Sequence, residues 1–243
     1  MTTRFFLDRV EGGRVVLSRA DSHHLLRVMR AAPGTPFIAL AGGVAYDCVL
    51  EAVEDGLACG RVVGSRPATG EPRIRIALFQ GLAKGEKMEF VIQHGTELGI
   101  AEFIPVAAAR SVVKLDAQKA ADRTERWQRI AREAAEQSRR GAVPRVSAPV
   151  TWKEAVAGIA GFDLALVPWE EGGEPLKAVL EAHPDALSYA LFIGPEGGLT
   201  ADEVALARAA GAIPVTLGPR ILRTETAPLA AAAAILYARG EMG

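Results

Sequence analysis

The chain has 243 residues, of which 49% are hydrophobic and 23% charged, and its formal net charge at pH 7 is -1. A chain of this length buries a sizeable core and holds one large domain or two of ordinary size. The composition excludes disorder of the whole chain, and the near-neutral balance excludes a globally basic nucleic-acid binder.

Up to about residue 65 the chain reads as β. Val15 to Leu17, Phe37 to Leu40, Ala45 to Leu50 and Gly60 to Val63 are short runs parted by glycine turns, a pattern that predicts a small barrel. One helix, Ser22 to Met29, interrupts them, with Leu25, Leu26 and Met29 on one face. The stretch from Gly64 to Pro72 has linker composition, so domains are expected at 1–70 and 71–243. Beyond it strands alternate with helices. Strand Ile74 to Phe79 comes first, then helix Lys87 to Leu98 stopped by Gly99, then strand Phe103 to Val106. A helix from Arg123 to Arg140 turns Trp127, Ile130, Ala131, Ala134, Ala135 and Ser138 inward. Strand Leu164 to Val167, a helix from about Pro175 to Ala182 and strand Tyr189 to Ile193 follow. The next helix opens on a capping box, Thr200 with Glu203, and ends at Gly211. Strand Ile213 to Leu217 and a final alanine-rich helix from near Thr226 complete the chain. Such alternation predicts an α/β domain with a mostly parallel sheet.

Charge is unevenly spread. From Arg123 to Arg145 seven arginines face three glutamates, and residues 1–30 hold six arginines against Asp8, Glu11 and Asp21. These zones are either solvated faces or phosphate-binding footprints. Cys48 and Cys59 read as small core residues, and His23, His24, His94 and His183 make no metal set. No secretory apolar segment and no run of membrane-spanning length is visible. A cytoplasmic location, no membrane partner and no metal are therefore expected.

The chemistry is expected after three buried strands, each followed at once by a glycine- or proline-marked turn: Pro168-Trp169-Glu170, Gly194-Pro195-Glu196-Gly197-Gly198 and Gly218-Pro219-Arg220-Ile221-Leu222-Arg223. In open α/β sheets ligands sit outside the carboxyl ends of the strands. There is no G-x-G-x-x-G after an early strand and no phosphate-loop spacing; Gly81 to Lys87 has the flavour only. The Pro-Glu pair in the second turn disfavours phosphate, since proline lacks a donor and glutamate repels the anion. In the third, Ile221 and Leu222 amid charged residues fit a flat heterocycle such as adenine.

At these residues the chain resembles the RsmE family of SPOUT-class methyltransferases. The resemblance runs through Arg4-Phe5-Phe6, His23 to Arg30, Lys84 to Glu89, Thr96 to Gly99, Arg110-Ser111, Arg126-Trp127, Glu133 to Arg140, Gly194 to Thr200 and Leu217 to Ala227, in order, over nearly the whole chain. It implies methylation of N3 of a uridine in 16S (small-subunit) rRNA with S-adenosyl-L-methionine, without a metal. It implies a C-terminal α/β domain tied in a deep trefoil knot, an N-terminal PUA-like β-barrel used for RNA, and a homodimer. By this resemblance Leu166, Val167, Pro168, Gly194, Pro195, Gly197, Leu217, Gly218, Ile221, Leu222 and Arg223 form the cofactor wall.

The reacting uridine N3 must lose its proton. Arg223 and Arg220 are candidates to favour the anion, and Glu225 or Glu196 to take the proton. Each carboxylate has a structural alternative, holding its loop or favouring a helix start. Arg139 and Arg140 are the first candidates for RNA phosphates, with Arg9, Arg27 and Arg30 next. Three other readings stay open: methylation of tRNA or of another rRNA position, an inactive RNA-binding module, and a small-molecule enzyme that would leave the arginine-rich helix unexplained.

Overall fold

The computed structural model describes residues 2–113 and 116–242. The chain divides into two compact units, Met1–Glu71 with Ala135–Val143, and Pro72–Ala134 with Pro144–Gly243. The expected division at 1–70 and 71–243 lacked that return of 135–143. Packing explains it: Ala135 is buried in one cluster with Phe6, Ile38, Leu40 and Ala45, flanked by Ala68 and Val143.

The first unit holds β1 (Arg4–Phe6), β2 (Arg14–Val16), α1 (Arg19–His23), β3 (Pro36–Ala41), β4 (Val44–Glu54) and β5 (Leu57–Pro67). Their sheet runs β1-β3-β4-β5-β2. The β1–β3 ladder is parallel and the others are antiparallel. It is therefore a mixed sheet with β1 and β2 at its edges, and pairing does not close it into the barrel that its short strands predicted. The expected helix starts three residues early, at Arg19, capped by Ser18, which accepts from the Asp21 amide. It then widens into a π turn over His24–Val28. Leu25 is buried, but the helix has ended by Met29, which is exposed.

The second unit contains β6 (Arg75–Gly81), α2 (Lys87–Leu98), β7 (Glu102–Ala107), α3 (Ala117–Gln137), β8 (Arg145–Val146), β9 (Val150–Thr151), α4 (Trp152–Ala157), β10 (Leu164–Pro168), β11 (Glu174–Pro175), α5 (Leu176–Ala182), β12 (Ser188–Ile193), α6 (Ala201–Ala209), β13 (Ile213–Thr216) and α7 (Ala227–Ala238). The last turn of α3 falls in the first unit. The sheet order is β11-β13-β10-β12-β6-β7-β8, with β9 also on β7. Every ladder of this sheet among the described residues is parallel, as strands separated by helices require.

One core lies under α4 and α6. Phe79 stacks on Phe192 at 4.3 Å, and Trp152 meets Phe192 edge-on while donating its indole N–H to the Glu203 carbonyl. Aromatic side chains buried to this extent contribute roughly 1.5–3 kcal/mol each. On the other face α7 packs against α2, β6 and β12. Because the strands are parallel, all their carboxyl ends lie along one edge. This edge carries the turns after which the chemistry is expected.

Candidate active site

A cleft of about 620 Å³ lies at the ends of β13, β10 and β12. Its walls are Pro168 to Glu170 after β10, the glycine loop after β12, the segment 216–224 after β13, and Lys87 from the first turn of α2. Among the residues expected there, Pro168, Gly194, Pro195, Glu196, Leu217, Gly218, Arg220, Ile221, Leu222 and Arg223 line it.

Four others are elsewhere. Leu166 and Val167 are fully buried within β10, below the cleft floor, because strand side chains point to the two faces of the sheet and not along its axis. Gly197 faces away: a Cβ there would lie 2.9 Å from Cβ of Arg110, on the loop after β7. Glu225 does not line the cleft, but its Oε2 lies 3.2 Å from Lys87 Nζ. Trp169 and Glu170, named in the sequence only as part of the first strand-end turn, also line the cleft, and sequence reasoning did not single out Lys87 or Thr224. Lys87 stood in the motif set aside for lacking phosphate-loop spacing, and Thr224 lay between two residues that were chosen.

Hydrogen bonds hold the loops in place. Thr224 accepts from Gln80 Nε2 at 2.9 Å and donates to the Gly194 carbonyl at 2.6 Å, so the segment after β13 is pinned to the ends of both β6 and β12. Close approach is required here, since a Cβ on Gly81 would lie 2.5 Å from the Pro195 nitrogen. Arg110 braces the glycine loop from outside, donating to the Gly197 carbonyl at 3.0 Å. Glu203 closes the capping box with Thr200 and also accepts from the Ala109 amide at 2.7 Å.

Lys87 joins two walls. Its Nζ lies 3.4 Å from Glu196 Oε1 and 3.2 Å from Glu225 Oε2. Partial burial disfavours its charge, but the two carboxylates outweigh that and raise its pKa, so Lys87 is a firm cation. Burial likewise pushes Glu196 up, yet the amides of Lys84 and Glu196 and the Lys87 ammonium hold it below the usual carboxylate range. Around the cleft, Trp169 Nε1 in its wall and Gln80 Oε1 behind Thr224 are buried without a hydrogen-bond partner among the described residues, and the buried Glu225 Oε2 faces only the Lys87 ammonium.

Within the first unit, Arg9, Arg27 and Arg30 are exposed, Arg9 paired with Glu11 at 3.1 Å. Arg139 is exposed with a left-handed φ of 60° just past the end of α3. Arg140 must be corrected. Its side chain is 3% exposed and both ends of its guanidinium grip Glu71, which also accepts from the Gly141 and Ala142 amides. A guanidinium shut in with its own carboxylate presents nothing to a phosphate. Among the described residues no group of three or more His, Cys, Asp or Glu is placed to hold a metal, and no helix is long and apolar enough to cross a membrane.

An RNA methyltransferase domain family matches residues 70–236. The chain is 42% identical to ribosomal RNA small subunit methyltransferase E of Bacillus subtilis, over 89% of this chain and 87% of that protein. The chain belongs to this RsmE family of RNA methyltransferases. The RsmE protein of Synechocystis is 38% identical over 91% of this chain and 72% of its own. Among solved structures, RsmE of Neisseria gonorrhoeae bound to S-adenosyl methionine superposes with a TM-score of 0.87 at 34% identity, covering 97% of each chain. A Legionella pneumophila putative methyltransferase, in complex with the same cofactor, superposes at 0.88 with 30% identity over 98% of each chain. The motif resemblance thus extends to the whole RsmE fold.

Proposed function

We propose that the protein methylates N3 of a specific uridine in 16S rRNA, with S-adenosyl-L-methionine as methyl donor in the strand-end cleft. The observation that carries this is the cleft itself, built from three family loops at adjacent parallel strand ends. Its residues fit the cofactor. The volume of about 620 Å³ suits a ligand of that size. Ile193, Leu199, Leu217 and Leu222 offer apolar contact for a flat base, Glu170 offers charge for a cation, and the buried Trp169 N–H offers an unused donor. Bound there, the cofactor supplies a methyl group already activated on a sulfonium. Arg223 and Arg220 line the same cleft, where a guanidinium favours the uridine anion. Glu196 and Glu225 are weaker candidates for the proton acceptor, because both are engaged by Lys87.

Several finer features belong to the same reading. The chain after β13 passes the ends of β10 and β12 before α7 packs near β6, which supports a deep trefoil knot. An experimental chain trace that comes untangled when its two ends are pulled would overturn it. The first unit, 1–71 with 135–143, serves as a PUA-like RNA-binding domain, and the second, 72–134 with 144–243, as the methyltransferase domain. The protein acts in the cytoplasm as a homodimer; sedimentation at a monomer mass under assay conditions would count against this.

Calorimetric titration with S-adenosyl-L-methionine, paired with methylation of small subunits lacking the modification, tests the function. Gly194→Val should weaken binding at least about tenfold, since its Cβ would lie 3.1 Å from the Gly198 carbonyl carbon. Nuclease digestion and mass analysis should then show 3-methyluridine. A ribose-methylated product or a tRNA target would replace this reading with its sister activity. Failure to bind cofactor with or without RNA would favour an inactive RNA-binding module.

A further inference from the structure

Lys87 is the first residue of α2. The amino end of a helix carries partial positive charge, so a lysine there is placed against the dipole. Helix stability does not account for it, and Glu86 before it makes no side-chain capping bond. What the position does provide is reach. From it the ammonium meets Glu196 on the glycine loop and Glu225 on the segment after β13. Glu225 Oε2 is closed off from solvent, and its polar partner among the described residues is the Lys87 ammonium, so without Lys87 it would be an uncompensated, largely buried charge. Glu196 has a second anchor, the Lys84 amide at 2.9 Å.

The neighbouring residue makes the geometry consequential. Thr224 is pinned by Gln80 and Gly194, and Glu225 is pinned by Lys87. Two consecutive anchors fix the backbone direction immediately after Arg223, the guanidinium that lines the cleft. We propose that Lys87 is a positioning residue of the methyl-transfer site, an ammonium staple that joins the glycine loop to the 217–226 segment and thereby sets Arg223. The inference rests on the methyltransferase reading above and assigns within it a role for a residue outside the three loops.

The test uses the full-length protein. Lys87→Met, Lys87→Arg and Arg223→Met are compared with the double variant Lys87→Met/Arg223→Met. Two readouts are taken: hydrogen exchange of the 194–199 and 217–226 amides, and steady-state methylation of small subunits. Lys87→Met should speed exchange in both segments at least about fivefold, while Lys87→Arg keeps it near wild type. The same Lys87→Met change should lower kcat at least about tenfold with little change in KM for RNA, and Lys87→Arg should restore most of that loss. In the double variant the two losses should be strongly non-additive, because one residue acts through the other. Additive losses, a rise in KM for RNA alone, or unchanged exchange would each overturn the proposal. If Lys87→Met does not fold, Glu225→Gln, which removes one end of the staple and keeps the lysine, should show the same exchange and the same non-additivity. If the wild-type protein methylates nothing, the functional reading falls, and the exchange data still decide whether the staple exists.

Discussion

Arg139 and Arg140 adjoin in the sequence yet meet different surroundings. Both follow the arginine-rich helix and carry the same charge, but only Arg140 turns inward, onto Glu71. Removing one partner of such a pair leaves the other uncompensated, which is more damaging than removing both. Arg140→Ala should destabilise the protein by about 3 kcal/mol in urea unfolding, and Arg140→Met/Glu71→Met should recover much of that. Equal losses in both variants would show that the pair is not the cause. No sequence pattern distinguishes the two arginines, because Glu71 lies 69 residues from Arg140 and only folding brings it near. Lys87 is a similar case: the residues that explain it, Glu196 and Glu225, are more than a hundred positions away.

At the scale of elements, the local rules carried far. The α2 boundaries, Lys87 and Leu98, coincide with those read from periodicity and from the Gly99 stop. The Thr200–Glu203 capping box is formed as its spacing required. The same T-x-x-E pattern at Thr151 and Glu154 also forms a box and opens α4. That helix was not anticipated, because Trp152–Ala157 is too short to display a periodicity. Thr200→Ala should cost about 1 kcal/mol of stability. Glu203→Ala should cost more, about 2 kcal/mol, since it removes the cap and also frees the Ala109 amide that the same carboxylate holds. Equal costs for the two, measured by denaturant unfolding, would deny Glu203 its second task.

At the scale of the molecule, two dependences follow from where charges lie. Asp163 accepts from the Ser188 hydroxyl and from the Leu187 and Ser188 amides, which hold its carboxyl below the usual range. A depressed folded value means that this contribution is complete above the unfolded value, near pH 4, and is lost as pH falls through the folded one. Melting temperature should therefore drop on acidification below about pH 4, and Asp163→Asn should melt lower at pH 7 but lose less on the way down. Parallel acid profiles for the two proteins would exclude Asp163 as a contributor. For RNA, the exposed Arg27 and Arg30 are the better test than Arg140. If both touch phosphates, Arg27→Ala/Arg30→Ala should weaken binding and reduce the slope of log K against log salt by about 2. An unchanged slope would remove this face from the RNA footprint.

The sequence by itself determined the order of the longer strands and helices, the parallel α/β class of the second unit, the three strand-end turns and the family, since each rests on short-range periodicity, turn chemistry or motif spacing. The tertiary structure decided what depends on contacts between distant segments. It returned 135–143 to the first unit and left the first sheet unclosed by pairing. It sank Leu166 and Val167 beneath the cleft and turned Gly197 outward. It also took Arg140 out of solvent and brought Lys87 and Thr224 to the cleft wall. The reason is physical: backbone preferences act within a few residues, whereas burial and charge pairing are settled only when segments far apart in the chain are packed together.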